Sequence, residues 1–169
     1  TRLGATIIVT ANTEQQLRSR TWAELGKWMT LSINSHWFQK TATTVKPAPW
    51  FQEALERDLK IDTGYYYAQA QLWSEENPDA FAGIHSSYGV CLIMDEASGI
   101  PSPIYSVSEG FFSEPTANRY WFTFSNPRRN TGPFYDSFNS KKRFWQNTQI
   151  DSRTVEGTDQ KLFQSMIEQ

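Results

Sequence analysis

The chain has 169 residues, 38% hydrophobic and 15% aromatic, with 16 Lys plus Arg, 18 Asp plus Glu and a formal net charge of −2. This balance excludes a disordered chain and a uniformly basic, histone-like binder, and leaves room for a local basic patch. No run of about 18 apolar residues is present to span a bilayer, and the single Cys91 excludes an internal disulfide or a multi-thiolate metal site, as suits a reducing compartment.

Ala5 to Thr10 is short, apolar and β-branched, and predicts a buried strand. Thr13, with Gln16 three residues on, forms a capping box. Leu17, Trp22, Leu25, Trp28 and Met29 then recur at helical spacing and predict a helix of about four turns. Trp37 to Val45 reads as a strand broken by Lys46-Pro47-Ala48-Pro49. Glu53 to Leu59 reads as a short helix or turn, and Tyr65 to Trp73 as a strand. Asn77-Pro78 is a turn before a brief apolar patch at Ala80 to Ile84. Gly89 to Met94 is a near-continuous apolar run, the pattern of a strand buried on both faces of a parallel sheet. Ile104 to Phe112 predicts a helix, and Arg119 to Phe124 an aromatic-rich strand. Pro133 opens a helix with Phe134, Tyr135 and Phe138 on its apolar side. Phe144 to Ile150 predicts a further strand, and Thr158 caps a last helix bearing Leu162, Phe163, Met166 and Ile167. Alternating strands and helices predict an α/β fold with a mainly parallel β-sheet flanked by helices. Most tryptophans are expected in the core.

The strongest chemical signal is the apolar run that ends in Asp95-Glu96. Ligands of open parallel sheets bind at the carboxyl ends of strands. Of two adjacent carboxylates there, Asp95 suits a divalent metal held directly or through water, and Glu96 suits polarising an attacking water. An acidic turn closing a buried strand is the plainer alternative. About one crossover later, the next strand ends in Ser125-Asn126-Pro127. A hydroxyl and an amide at that place suit a terminal phosphate, although Asn-Pro is also an ordinary turn. Arg128 and Arg129 are candidate arginine contacts for a phosphate, or solvated loop charge. His36 and His85 have no ligand-like spacing around them. Cys91 reads as core. A phosphate-binding loop of the form Gly-x-x-x-x-Gly-Lys-Ser/Thr is missing from these 169 residues. The one Gly-Lys pair, Gly26-Lys27, is followed by Trp28 and has Thr21 where the first Gly would stand.

Ala82-Gly83-Ile84-His85, Val90 to Glu96 and Ala97-Ser98-Gly99-Ile100-Pro101 together resemble the ATPase domain of bacteriophage terminase large subunits. The likeness continues through Ile104-Tyr105, Glu109-Gly110, Ser125-Asn126-Pro127-Arg128 and Thr131 to Asp136. Ile8 to Gln16 is similar to the strand and helix that come after the phosphate loop in that family. The resemblance is strongest from about residue 80 to 140, and the Asp-Glu-Ala-Ser-Gly-Ile stretch combined with Ser-Asn-Pro makes it specific.

This resemblance implies a P-loop NTPase-like core of the ASCE type lacking its first strand and Walker A loop. Residues 1–169 would be a single partial ATPase domain, with the family's nuclease domain absent. Asp95 and Glu96 would be the Walker B acid, which also holds Mg²⁺ through water, and the catalytic glutamate. Ser125 and Asn126 would sense the nucleotide and couple hydrolysis to DNA movement. The implied cofactors are Mg²⁺ and ATP, neither expected to be held by this segment alone. The implied partners are double-stranded DNA, a portal protein, a small terminase subunit and further copies of the motor, in the host bacterial cytoplasm and away from membranes. The alternatives are a helicase-like ATPase fragment, since Asp-Glu-Ala also opens a helicase box, and a non-catalytic binding module that keeps the sheet without the site.

Overall fold

In the computed structural model of the chain, the described residues are 3–159, 161 and 165. They fall into two compact units, Thr1–Tyr135 and Asp136–Gln169.

The first unit is α/β and is built on a six-stranded sheet. The strands are β1 (Thr6–Ala11), β2 (Phe38–Lys40), β3 (Thr44–Pro47), β4 (Ala68–Ala70), β5 (Val90–Asp95) and β6 (Arg119–Phe124). Their spatial order is β2-β3-β4-β1-β5-β6. β4, β1, β5 and β6 run parallel, and β2 and β3 add an antiparallel pair at one side. The sheet is thus mostly parallel, as the alternation of strands and helices predicts.

The central strands are buried because their sequences are apolar on both faces. Ile8, Val90, Leu92 and Met94 project to one side and pack with Phe81, Ile104, Tyr105 and Phe111. Val9 and Ala11 project to the other and pack with Leu17, Trp22 and Val45. The side chains alternate because successive residues of a strand point to opposite faces. Each fully buried Leu, Ile or Phe contributes about 1.5–3 kcal/mol of burial free energy. The first of these layers includes α4 (Ser102–Glu109). The second includes a π-helical turn (Leu17–Thr21) and α2 (Trp22–Leu31), which follow the short, unburied α1 (Glu14–Gln16). Thr13 caps α1 as its sequence predicts, its hydroxyl accepting from Gln16 N at 3.2 Å.

Several expectations need correction. Trp37 to Val45 is a tight antiparallel pair, β2 and β3, and β3 runs on through Pro47. The reversal is made by Thr41, whose hydroxyl accepts from Thr43 N and Thr44 N. Pro49 opens α3 (Pro49–Leu59), so the proline pair starts a helix as much as it ends a strand. Of Tyr65 to Trp73 only β4 is strand, because Asp62 caps a 3₁₀ turn at Thr63–Tyr65. Of the tryptophans, Trp22 is buried, but Trp28, Trp37 and Trp50 are exposed.

The second unit contains 3₁₀ turns at Lys142–Phe144 and Ser152–Thr154. The strand expected over Phe144 to Ile150 is not formed. Residues 145–150 have no ladder partner among the described residues, and Phe144 and Ile150 are 70% and 76% exposed. A strand's propensity is realised only against a neighbour. The helix expected after Thr158 falls largely outside the described residues. α5 (Pro133–Phe138) forms where Pro133 predicts it.

Candidate functional site

β5 and β6 are adjacent and parallel, with Asp95 opposite Phe124 in the register. The residues just past each strand therefore emerge at the same edge of the sheet. This brings Asp95-Glu96 and Ser125-Asn126 together, as the sequence spacing predicts. β1 ends beside them, with Ala11 opposite Asp95.

Asp95 is partly buried and both its carboxylate oxygens are engaged. Oδ1 accepts from the Glu96 backbone N–H at 3.0 Å, and Oδ2 accepts from the Thr21 hydroxyl at 2.6 Å. Hydrogen bonds to a carboxylate are stronger than neutral ones and fix its orientation. Glu96 lies in the left-handed region, at φ 51° and ψ 40°. That conformation costs a non-glycine residue about 1–2 kcal/mol and recurs at functional sites. It turns the chain sharply off β5 into the 3₁₀ turn Ala97–Gly99. Glu96 Oε2 is sealed from solvent and receives no hydrogen bond. Its counter-charge is the Arg128 guanidinium at 3.4 Å.

Ser125 is used differently from the expectation that it faces a phosphate. Its Oγ accepts from Ser98 N at 3.1 Å and donates to Ser98 Oγ at 2.8 Å, with the Asn126 carbonyl at 3.0 Å as a second acceptor. It ties the end of β6 to the turn that carries Glu96. Asn126 is exposed at the same strand end. Arg128 reaches Glu96, whereas Arg129 instead lines a polar cleft of about 390 Å³ together with Glu75, Ser98, Ser102 and Thr131.

Three participants carry no sequence signal of a site role, although Ser98 and Asn12 lie in stretches that bear the family resemblance. Thr21 comes from the helical layer, 74 residues from Asp95. Ser98 pairs with Ser125 across 27 residues. Asn12, at the end of β1, packs so closely on Gly99 that a Cβ there would sit 2.5 Å from its amide. Behind the turn, Tyr105 donates its hydroxyl to Ala97 O at 3.1 Å, and burial pushes that phenol well above its ordinary pKa. Cys91 is half-buried, and burial raises its thiol pKa as well.

The implied Mg²⁺ can be tested against these residues. Mg²⁺ takes one or two carboxylates and completes its shell with water and phosphate. Asp95, held in a fixed orientation, fits that modest demand. No group of three or more His, Cys, Asp or Glu is gathered for a metal among the described residues, so an all-protein cage is not built here. The sequence carries no Gly-x-x-x-x-Gly-Lys-Ser/Thr loop to cradle the phosphates of ATP, so these residues alone do not fit it. Among the described residues no helix is long and apolar enough to cross a membrane. Comparison with family models, with curated proteins and with solved structures gives no match.

Proposed function

We propose that the paired ends of β5 and β6 are the metal-and-water half of an ATP-hydrolysing site, and that the chain works in a DNA-packaging motor of the terminase large-subunit kind. The observation that carries this reading is the adjacency of the two strands. It sets an apolar strand ending in Asp95-Glu96 beside one ending in Ser125-Asn126 at the carboxyl edge of a mostly parallel sheet. Nucleotide sites occupy that edge in open α/β folds.

In this reading the fold is the P-loop NTPase type. Asp95 orients a hydrated Mg²⁺, and Glu96 takes a proton from the attacking water once Arg128 leaves it. Ser125 links the Glu96 turn to β6 and passes the state of the site onward, with Asn126 at the exposed end of that link. Arg128 is the arginine placed to exchange Glu96 for a phosphate; Arg129 faces the neighbouring cleft. ATP and Mg²⁺ are the cofactors. Double-stranded DNA, the portal, the small subunit and further motor copies are the partners, in the cytoplasm of a host bacterium.

The absence of a phosphate loop from these 169 residues favours a second reading for the segment taken alone, a binding module with half a site. ATP hydrolysis separates the two. The full native chain that contains these residues is expected to hydrolyse ATP faster when duplex DNA is added, and residues 1–169 alone to show no turnover. A full chain with no ATP hydrolysis refutes the motor reading. Turnover by residues 1–169 that disappears in Glu96→Gln refutes the need for a separate phosphate loop.

A further inference from the structure

The helical layer over β1 and β5 does more than cover the sheet, because one of its side chains holds Asp95. The geometry points to Thr21 as a positioning residue for Asp95, placed there by a π-helical turn; this rests on the reading of Asp95 as the metal carboxylate.

Between α1 and α2 the helical backbone changes register. Trp22 N donates to Leu17 O, five residues back, instead of four. A single π turn of this kind is uncommon and is frequent at functional sites. An α-helix advances about 100° per residue, at 3.6 residues per turn. The extra residue therefore swings the downstream helix by about that angle. Two anchors hold the turn against the sheet on either side: Leu17 is 1% exposed and Trp22 is 2% exposed. Between them Thr21 reaches Asp95 Oδ2 at 2.6 Å.

The consequence for Asp95 is specific. Its Oδ1 is already held by the Glu96 N–H. Without Thr21 the carboxylate is held at one oxygen and is free to pivot about it. With Thr21 both oxygens are fixed, and their remaining lone pairs point in set directions. That is what a hydrated Mg²⁺ requires, since it tolerates little departure from octahedral geometry. The Thr21 hydroxyl also has a second acceptor nearby, Gln16 O at 3.5 Å.

The test is Mn²⁺ binding, as a probe of the Mg²⁺ site, to the full native chain with a non-hydrolysable ATP analogue. It is monitored by loss of the free Mn²⁺ electron paramagnetic resonance signal. Thr21→Val keeps the shape and removes the donor, and is expected to weaken Mn²⁺ binding about 10-fold or more, as loss of an outer-shell partner does. Thr21→Ser keeps the donor and is expected to restore binding. Asp95→Asn is the control for the underlying reading and is expected to abolish the site. If Thr21→Val binds like the unaltered chain while Asp95→Asn does not bind, the role of Thr21 is refuted and the reading of Asp95 stands. If Ser and Val are equally impaired, Thr21 acts only through packing and the inference is wrong. If Asp95→Asn leaves binding intact, or the unaltered chain binds no Mn²⁺, the reading of Asp95 fails and the inference fails with it.

Discussion

Tyr105 shows how a single side chain secures the acidic turn. Its ring is buried in the core, and its hydroxyl donates to the carbonyl of Ala97, one residue beyond Glu96. Tyr105→Phe removes one of two donors to that carbonyl, which keeps the Ile100 N–H at 3.2 Å, and a single lost hydrogen bond costs about 0.5–1.5 kcal/mol. Urea denaturation at neutral pH is expected to show a loss of that size. The phenol also imposes a pH dependence. Burial raises its pKa in the folded state above the ordinary value of about 10. A raised pKa means that the contribution is complete below pH about 10 and is lost as pH climbs from there towards the folded value. Tyr66 and Tyr67 are shifted in the same direction by burial. Stability should therefore decline above pH about 10, and Tyr105→Phe should make that decline shallower. An unchanged alkaline slope in Tyr105→Phe denies the link. At this scale Asp95, Glu96 and Ser125 are legible in the sequence because each sits where an apolar run stops. Thr21, Ser98 and Asn12 are not. Their contacts are made across the fold, and a hydroxyl that meets a carboxylate 74 residues away leaves no periodic trace.

Among the elements, β6 stands out. It is the last strand in the sheet order and pairs with no strand beyond β5 among the described residues. Tyr120, Phe122 and Phe124 line one of its faces as a ladder of near-parallel rings, 6.3 and 6.2 Å between successive centroids. They are 39%, 45% and 58% exposed. An apolar edge strand of this kind templates further pairing. Residues 1–169 alone are expected to associate as concentration rises, and Phe122→Lys to reduce that association, as lysine blunts natural edges. Sedimentation velocity across a concentration series reads both. A monomer at every concentration in the unaltered chain contradicts the expectation. The elements most legible in the sequence, β1, β5 and β6, are those whose apolar or aromatic runs match their burial or pairing. β2 and β3 read as one strand because the Thr41 turn is made by side-chain hydroxyls instead of Gly or Pro. Phe144 to Ile150 has a strand's composition without a strand's neighbour.

For the molecule as a whole, the parallel strands β4, β1, β5 and β6 bring the carboxyl ends of β1, β5 and β6 into one region, and the chemistry of the chain gathers there. That region gathers carboxylates held in position, an arginine parked on one of them, and a serine strut to the next strand. No phosphate loop of the Gly-x-x-x-x-Gly-Lys-Ser/Thr form is present among these 169 residues. In the proposed reading Glu96 activates water, and ATP binding compared with ATP hydrolysis in Glu96→Gln of the full native chain tests that role. Binding should equal that of the unaltered chain, while the hydrolysis rate should fall about 100-fold or more, the usual contribution of a positioned general base. Hydrolysis at an unchanged rate would contradict that role for Glu96.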